Sequence, residues 1–89
     1  MSKDKSIKTE FKKAAEDIKK ATDLSNDTLL SLYGYYKQAK LGDCNTDRPG
    51  MFDPKGRAKW DAWNANKDMK TEIAMKQYIK KVNEILDSN

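Results

Sequence analysis

Histidine is absent from this chain of 89 residues, and cysteine occurs only once. The lack of histidine removes the commonest general base, the Ser–His and Cys–His nucleophile pairs, and every histidine metal site. Cys44 stands alone, which excludes an intrachain disulfide and a CxxC redox or zinc motif. A lone cysteine fits a reducing compartment, so we predict a cytoplasmic protein.

Long hydrophobic runs are also missing. No apolar stretch approaches the ~20 residues that a membrane-spanning helix needs, and the charged start of the chain is unlike a secretory signal. The chain has room for one hydrophobic core, so we predict a single domain over residues 1–89. Its net charge of +4 favours an anionic partner, and nucleic acid, a lipid headgroup or a nucleotide would each fit.

What the chain does contain is helical periodicity. Apolar residues recur every three or four positions in four segments, and no segment alternates as a strand would. The pattern predicts helices over about residues 6–22, 26–40 and 54–66, and from residue 71 onward. Ser6 is the predicted N-cap of the first helix, with Ser2 as the alternative. Four amphipathic helices indicate an all-α fold, a four-helix bundle.

Residues 42–53 lack the helical period and form the longest predicted connection. Gly42 is a suitable left-handed stop for the second helix, and Pro49 followed by Gly50 predicts a type II turn. A loop of about a dozen residues exceeds the usual connection in a bundle. Its length predicts an overhand crossover between the second and third helices, and loops of this kind often carry function.

Capping residues mark the starts of the second and third helices. Ser25 or Asn26 precedes the second helix, and Asp53 with Pro54 has the pattern of an N-cap followed by a first helical residue. Gly56 weakens the first turn of the third helix. We therefore expect the regular part of that helix to begin a few residues after Pro54.

Aromatic and basic residues gather on the second helix. Tyr33 and Tyr36 lie three positions apart and so present two rings on one side, while the neighbouring Lys37 adds a point charge suited to a phosphate. The alternative is that both tyrosines pack in the core with their hydroxyl groups in water. The second helix alone does not decide between these interpretations.

The third helix repeats the combination. Lys55, Lys59 and Trp63 are spaced four residues apart, so two ammonium groups flank an indole, and Trp60 lies one turn from Trp63. The alternative is that the tryptophans anchor the helix and the lysines are solvated, since most lysines are exposed. The coincidence of rings and cations on two helices favours a binding site.

Two further residues complete the candidate site. Tyr78 lies in the middle of the apolar stripe of the fourth helix, where its hydroxyl needs an internal partner or a partly wet pocket. Lys19 borders the small-residue patch at Ala15 and Ile18. Together with the tyrosines and lysines of the other helices, they describe a cavity with an apolar floor and a cationic, aromatic rim.

Three other functional classes are compatible with parts of the pattern. Aromatics with lysines also occur in nucleic-acid-binding surfaces, but 14 acidic residues are spread over every helix. A membrane-surface bundle would carry fewer acids on its polar faces. An enzyme is disfavoured because the acids are scattered and the sequence lacks a glycine-rich phosphate loop. We therefore predict a binding protein, without nucleic acid as its partner.

The segment from Tyr33 to Asn64 resembles the signature of the acyl-CoA-binding protein family. The elements "YKQA", "GD-NT-RPG", "KG-AKWDAW" and "AM--YI" stand in register, and the resemblance runs from Phe11 through the fourth helix. It implies a four-helix bundle of up-down-down-up topology with a long overhand loop between helices two and three. It also implies a carrier without a cofactor, which binds one long-chain fatty acyl-CoA and exchanges it with membranes and acyl-CoA-using enzymes, as a monomer.

The resemblance assigns roles to residues of the candidate site. Tyr33, Tyr36 and Lys37 match positions that contact the adenine and the ribose 3′-phosphate, and Lys59 matches the second lysine of that phosphate site. The other matching positions are Lys55, a further basic residue; Tyr78, on the nucleotide; Lys19, at the pocket edge; Trp60, near the acyl chain; and Trp63, a neighbouring ring.

The sequence departs from the family at three positions. Gly34 loosens the second helix by about 1 kcal/mol relative to alanine. Pro54 replaces a residue that is commonly aromatic, and this leaves the preferred chain length open. Lys70 stands where a serine often caps the fourth helix, so we expect Thr71 to cap it or the helix to start poorly.

Overall fold

The computed structural model describes the backbone of residues 3–88 and the side chains of residues 7–88. All regular structure in this part of the chain is helical. The elements are α1 (Lys3–Asp17), a 3₁₀ turn (Ile18–Lys20), α2 (Asn26–Leu41), α3 (Pro54–Asn64) and α4 (Thr71–Asp87). The predicted all-α four-helix bundle is confirmed, and so is its long loop between the second and third helices.

The first three helices run up, down and down. Helices α1 and α2 are antiparallel, because the Phe11 ring stacks on Tyr36 at 5.5 Å while Ile18, directly after the end of α1, lines one groove with Leu29, near the start of α2. Helices α2 and α3 are parallel, because the first turns of both helices line one groove and Gly34 meets the later residue Ala62. The chain must therefore travel back along the bundle between α2 and α3, which explains the length of the loop.

The fourth helix runs against α2. Gln38, near the end of α2, donates a hydrogen bond from Nε2 to the carbonyl oxygen of Met69, just before α4, at 2.7 Å. Further along α4, Tyr78 shares a groove with Leu32, which lies nearer the start of α2. The order of directions is therefore the predicted up-down-down-up.

The hydrophobic core lies between α1, α2 and α4. Its central feature is a cluster of three rings, in which Phe11, Tyr36 and Tyr78 have centroids 5.1 to 5.8 Å apart. Such edge and offset contacts add to the hydrophobic stabilisation of the rings. The buried members of the core are Phe11, Ala14, Leu32, Ala39, Ala74, Tyr78 and Val82.

A glycine lets α3 approach α2 closely. Gly34 is buried, and a Cβ atom at this position would lie 2.5 Å from the carbonyl oxygen of Ala62. From the sequence, Gly34 was predicted only to loosen the second helix. The structure gives it a packing role, since a larger side chain would push the backbone of α3 outward.

Three predicted helix ends are confirmed. The Ser25 hydroxyl accepts the backbone N–H of Thr28 at 3.1 Å, and Asp53 Oδ1 accepts the backbone N–H of Gly56 at 3.0 Å. Gly42 ends α2 with φ 81° and ψ −149°, and its N–H donates to the carbonyl of Gln38 at 2.9 Å. Gly42 therefore stops α2 as predicted, but the predicted left-handed conformation is wrong, because its ψ lies outside the left-handed helical range. Its positive φ is one that glycine adopts at little cost.

The ends of α1 differ from the prediction. Ser6 lies inside α1, which begins at Lys3, so Ser6 is not the N-cap; the alternative, Ser2, lies outside the described residues. The helix ends at Asp17 and tightens into one 3₁₀ turn, after which Ala21 is extended at φ −78° and ψ 142°. The early end gives the chain room to reverse into the antiparallel α2.

The third helix and the turn before it also correct the prediction. Helix α3 begins at Pro54 in spite of Gly56, because the Asp53 carboxylate caps its first turn by accepting the N–H of Gly56. The carboxylate lies in the space that a Cβ of residue 56 would fill, so glycine suits this position. It ends at Asn64, two residues earlier than expected. Gly50 does not have the positive φ of a type II turn. The turn instead joins the carbonyl of Gly50 to the N–H of Asp53 at 3.0 Å.

The fourth helix starts without a side-chain cap. Lys70 occupies the N-cap position, with φ −67° and ψ 147°, and its side chain accepts no hydrogen bond. Thr71 is already the first helical residue, so the expectation that Thr71 caps α4 is wrong. The exposed N–H groups of the first turn are left to water.

Candidate functional site

Three of the predicted tyrosines form the wall of one groove. Helix α2 presents Tyr33 and Tyr36 one turn apart, and α4 adds Tyr78, which is buried. The groove has a volume of about 350 Å³ and a floor that includes Leu29 and Leu32. Tyr78 therefore borders a pocket, which was one of the two environments that the sequence allowed for it.

Lys19 lies at the edge of the same groove, which we call the aromatic groove. Its side chain is exposed and forms an ion pair with Glu16, with 3.5 Å between Nζ and Oε2. An exposed pair of this kind contributes little to stability. The ammonium group is therefore free to exchange its partner for an anion that enters the groove.

Two further cations lie over aromatic rings. Lys59 Nζ is 5.6 Å from the ring centre of Tyr33, and Lys37 Nζ is 5.0 Å from that of Trp63. Both distances are typical of cation–π contacts. The contacts join α2 to α3, since each pairs a lysine of one helix with a ring of the other. The sequence pattern instead placed Lys55 and Lys59 on either side of the Trp63 ring, but the cation over that ring is Lys37.

A second groove lies between the first turns of α2 and α3. Its volume is about 470 Å³, and its lining is apolar at Leu29, Leu30, Pro54 and Ala58, with Lys55 and Lys59 among its other residues. We call it the apolar groove. Leu29 lines both grooves, which are therefore neighbours. An aromatic, cationic surface thus lies beside an apolar channel.

The tryptophans of α3 hold the long loop. Trp60 donates from its indole N–H to the carbonyl of Thr46, and Trp63 donates to the carbonyl of Gly42, both at 2.8 Å. Trp63 is only 4% exposed. Trp60 is not among the residues that line either groove. Both rings therefore act as the anchors that the alternative interpretation of the sequence described, and Trp63 also carries the Lys37 contact.

Burial changes the acidity of Tyr78. Its desolvation raises the pKa of the phenol above the ordinary value of 10.0, and the neighbouring Tyr36 raises it further. The hydroxyl group is therefore protonated throughout the physiological range. It can donate a hydrogen bond to a polar ligand atom in the aromatic groove.

A polar connection at the opposite end of α2 was not predicted. Gln38 is fully buried, and its Nε2 donates both to Asp43 Oδ1 at 2.9 Å and to the carbonyl of Met69 at 2.7 Å. Asp43 Oδ1 also accepts the N–H of Asp68 at 2.8 Å. These hydrogen bonds, that from Gln38 first, lower the pKa of the Asp43 carboxyl.

A second unpredicted contact fixes the middle of the loop. Arg48 binds Asp61 of α3 through two hydrogen bonds, of 3.0 and 2.9 Å, which lower the pKa of the Asp61 carboxyl. The Arg48–Asp61 pair and the Gln38–Met69 bond leave no local signal, because their partners lie 13 and 31 residues apart along the chain. The Gln38–Asp43 bond spans only five residues, but it follows no helical period. In the sequence, this part of the loop was indicated only by the family motif "GD-NT-RPG".

Metal ligands do not accumulate anywhere in the part of the chain that the structure describes, where no three His, Cys, Asp or Glu side chains meet in a suitable group. The arrangement is instead that of a binding surface. Cations lie beside rings that can stack with a flat, anionic group, and an adjoining channel can cover a hydrocarbon chain.

Comparison with known proteins identifies the family. Residues 8–82 match the family model described as acyl-CoA binding protein. The chain belongs to the acyl-CoA-binding protein family. This family consists of non-enzymatic binding proteins, which confirms the prediction that the chain is not an enzyme. The resemblance seen in the sequence motifs is confirmed over most of the chain.

Relatives of similar length occur in plants. The chain is 51% identical over 83 residues to the acyl-CoA-binding protein of Brassica napus, a match that spans 92% of this chain and 90% of that protein. It is 52% identical over 82 residues to acyl-CoA-binding domain-containing protein 6 of Arabidopsis thaliana, over 91% and 89% of the two chains. These matches agree with an acyl-CoA-binding protein homologue of small size.

Solved structures of the family have the same fold. The crystal structure of acyl-CoA-binding protein 2 of Oryza sativa has a TM-score of 0.92 and 43% identity, and it covers 96% of this chain and 94% of its own. That of the protein from Moniliophthora perniciosa has a TM-score of 0.85 and 39% identity, over 99% and 83%. As for membrane insertion, none of the helices described here is long and apolar enough to cross a bilayer.

Proposed function

We propose that this acyl-CoA-binding protein homologue is a carrier that reversibly binds one long-chain fatty acyl-CoA ester per chain. The observation that carries the proposal is that the aromatic groove and the apolar groove are neighbours, with Leu29 in the lining of both. A ligand with a nucleotide head and a hydrocarbon tail matches both halves. A free nucleotide or a free fatty acid would match only one of them.

The head of the ligand would occupy the aromatic groove. Tyr33 and Tyr36 offer ring faces for the adenine, and Tyr78 offers a protonated hydroxyl group. Lys59 is held over Tyr33, where it can pair with the 3′-phosphate, and Lys37 on the same helix as the tyrosines can add a second charge. Such charge-assisted contacts strengthen when the bound ligand excludes water.

The remaining predicted residues take supporting roles in this proposal. Lys19 and Lys55 stand at the outer edges of the two grooves and would guide the phosphates. Trp60, which was expected near the acyl chain, supports the site by holding the loop at Thr46. Its contribution would then be indirect.

The tail would lie in the apolar groove. Each buried methylene contributes roughly 0.8 kcal/mol, so affinity should rise with chain length until the groove is filled. Pro54, a departure from the family pattern, lies in the lining of this groove. We therefore expect it to influence which chain length binds most tightly.

The wider role follows from reversible binding. We propose that the whole chain forms one acyl-CoA-binding domain, acts as a monomer in the cytoplasm, and exchanges its ligand with membranes and acyl-CoA-using enzymes. The single cysteine supports a reducing compartment. Covering the thioester and chain would protect the ester during transfer.

Calorimetric titration with palmitoyl-CoA, free CoA and palmitate tests the proposal. We expect one-to-one binding of the ester and much weaker binding of either half. Equal affinity for CoA and palmitoyl-CoA would mean that the apolar groove is not used. In that case the chain would be a nucleotide-binding relative rather than a lipid carrier.

A further inference from the structure

Two apolar side chains project from the turn before α3. Phe52 is 97% exposed and Met51 is 70% exposed. They are the two central residues of the turn that the Gly50–Asp53 hydrogen bond closes at 3.0 Å. Turn positions of this kind usually hold glycine, proline, asparagine or aspartate. Because the Phe52 ring is almost fully exposed, its hydrophobic surface does not contribute to the stability of the fold.

The turn is held in place on both sides. Asp53 closes the turn through its backbone N–H and caps α3 through its side chain, which accepts the N–H of Gly56 at 3.0 Å. Before the turn, Arg48 is fixed to Asp61 by two hydrogen bonds. The apolar tip is therefore a fixed projection at the end of the bundle where α3 begins.

The tip adjoins the groove that is proposed to hold the acyl chain. Phe52 stands two residues before Pro54, which lines that groove together with the half-exposed Leu29. Lys55 is the second residue of α3 and Lys59 lies one turn further along, and both are exposed. Asp53 and Asp27 lie at the same end, and Asp53 is already engaged in capping α3.

We propose that Met51 and Phe52 form a membrane-docking tip that inserts between the headgroups of an anionic lipid surface. Aromatic and apolar side chains can enter the headgroup region of such a bilayer, and neighbouring lysines are attracted to its anionic lipids. The occupant is a bilayer rather than a protein groove because the tip adjoins the groove that is proposed to hold the acyl chain. Docking through this tip would bring the apolar groove against the bilayer surface from which an acyl chain leaves the membrane.

The inference deepens the proposed function, on which its account of acyl-chain exchange rests. Docking itself is a separate property and can be measured without acyl-CoA. Vesicles of phosphatidylcholine with about one third phosphatidylserine are suitable probes, with phosphatidylcholine alone as the uncharged comparison. The net charge of +4 predicts stronger binding to the anionic vesicles.

Vesicle flotation of three single variants tests the tip. Phe52→Ser and Met51→Ser should each lower the vesicle-bound fraction, and we expect a loss of about tenfold in partition coefficient for Phe52→Ser. Leu41→Ser is the matched control, since Leu41 is 57% exposed at the end of α2. Its partitioning should equal that of the unmodified protein.

The outcomes separate the two proposals. An unchanged bound fraction for Phe52→Ser, an equal loss in all three variants, or no binding of the unmodified protein to anionic vesicles would each overturn the docking tip. Titration of the same variants with palmitoyl-CoA in solution should give unchanged affinity. If docking depends on Phe52 but palmitoyl-CoA does not bind, the carrier proposal fails and the membrane contact remains.

Discussion

At the scale of single residues, the lysines of α2 offer the sharpest test of the site. Lys37 is half-buried and contacts the Trp63 ring, whereas Lys40, one turn later, is exposed; neither lysine lines either groove. Lys37→Ala should weaken palmitoyl-CoA binding by about 1.5–3 kcal/mol, since it would remove the charge-assisted contact proposed with the 3′-phosphate. Lys40→Ala should leave the calorimetric affinity unchanged, and an equal loss in both variants would assign the effect to net charge.

Tyr78 has a ring and a hydroxyl group that can be tested separately. Tyr78→Phe keeps the ring contacts with Phe11 and Tyr36 and removes only the donor. We expect a loss of affinity for palmitoyl-CoA of about 0.5–1.5 kcal/mol, as for one neutral hydrogen bond. The urea midpoint of the free protein should barely move, so a large fall in stability would place the hydroxyl group in the core rather than in the site.

At the scale of elements, the contact between α2 and α3 depends on Gly34. Gly34→Ala would improve helix propensity by about 1 kcal/mol, but its Cβ would collide with the carbonyl oxygen of Ala62. We expect a net destabilisation of about 1–3 kcal/mol in urea unfolding followed by circular dichroism. Gly50→Ala is the control, because open space surrounds that position. A stabilised Gly34→Ala variant would contradict the close approach of the helices.

The start of α4 can be improved by one substitution. Lys70 already has the extended backbone of an N-cap but no capping side chain. Lys70→Ser should raise the free energy of unfolding by about 1 kcal/mol. Lys70→Ala removes the charge from the helix N-terminus without supplying a cap, and it should gain less. Equal gains in both variants would show that charge, rather than capping, limits this helix.

The elements were predictable from the sequence where the signal is local. The apolar period indicated all four helices, and the side chains of Ser25 and Asp53 cap α2 and α3 as expected. The predictions failed where a distant partner decides the structure. The packing role of Gly34 depends on Ala62 of the neighbouring helix, which the local sequence does not indicate. Gly56 is unfavourable by helix propensity, but the Asp53 carboxylate lies in the space that a larger side chain at residue 56 would need.

The candidate site was predictable for a different reason. The rings that α2 contributes and the lysines that α3 contributes are each separated by one helical turn, so periodicity predicted that each pair lies on one side of its helix. Tyr78 and Lys19 reach the aromatic groove from other elements, which periodicity within one helix does not predict. Another exception is Trp60, whose position toward the loop depends on the carbonyl of Thr46. The hydrogen bond of Gln38 to Met69 joins segments far apart in sequence, and that of Gln38 to Asp43 spans the end of α2, so neither leaves a periodic signal.

At the scale of the whole molecule, acid should loosen the connection between the loop and α4. Hydrogen bonds from Gln38 and Asp68 lower the pKa of Asp43 below its ordinary value of 3.8. A group with a lowered folded-state pKa stabilises the protein above its unfolded pKa, and this stabilisation is lost as the pH falls through the folded value. Urea midpoints should therefore fall between about pH 5 and pH 2.

A single variant isolates this contribution. Asp43→Asn keeps a carbonyl oxygen that can accept the same donors but cannot titrate. The fall in its urea midpoint with acid should be shallower than that of the unmodified protein, with the remaining slope due to other carboxylates such as Asp61, whose pKa Arg48 lowers. Identical pH profiles would remove Asp43 from the acid response.

The two indole hydrogen bonds that hold the loop give the protein an optical signal of its own. Both tryptophans of the chain donate to carbonyl groups of the loop, and the buried Trp63 also lies beneath the ammonium group of Lys37. A ligand that draws Lys37 away would alter the electric field at that indole, and release of the loop would wet it. Intrinsic fluorescence can thus follow ligand arrival and loop release in real time, without a dye or a label.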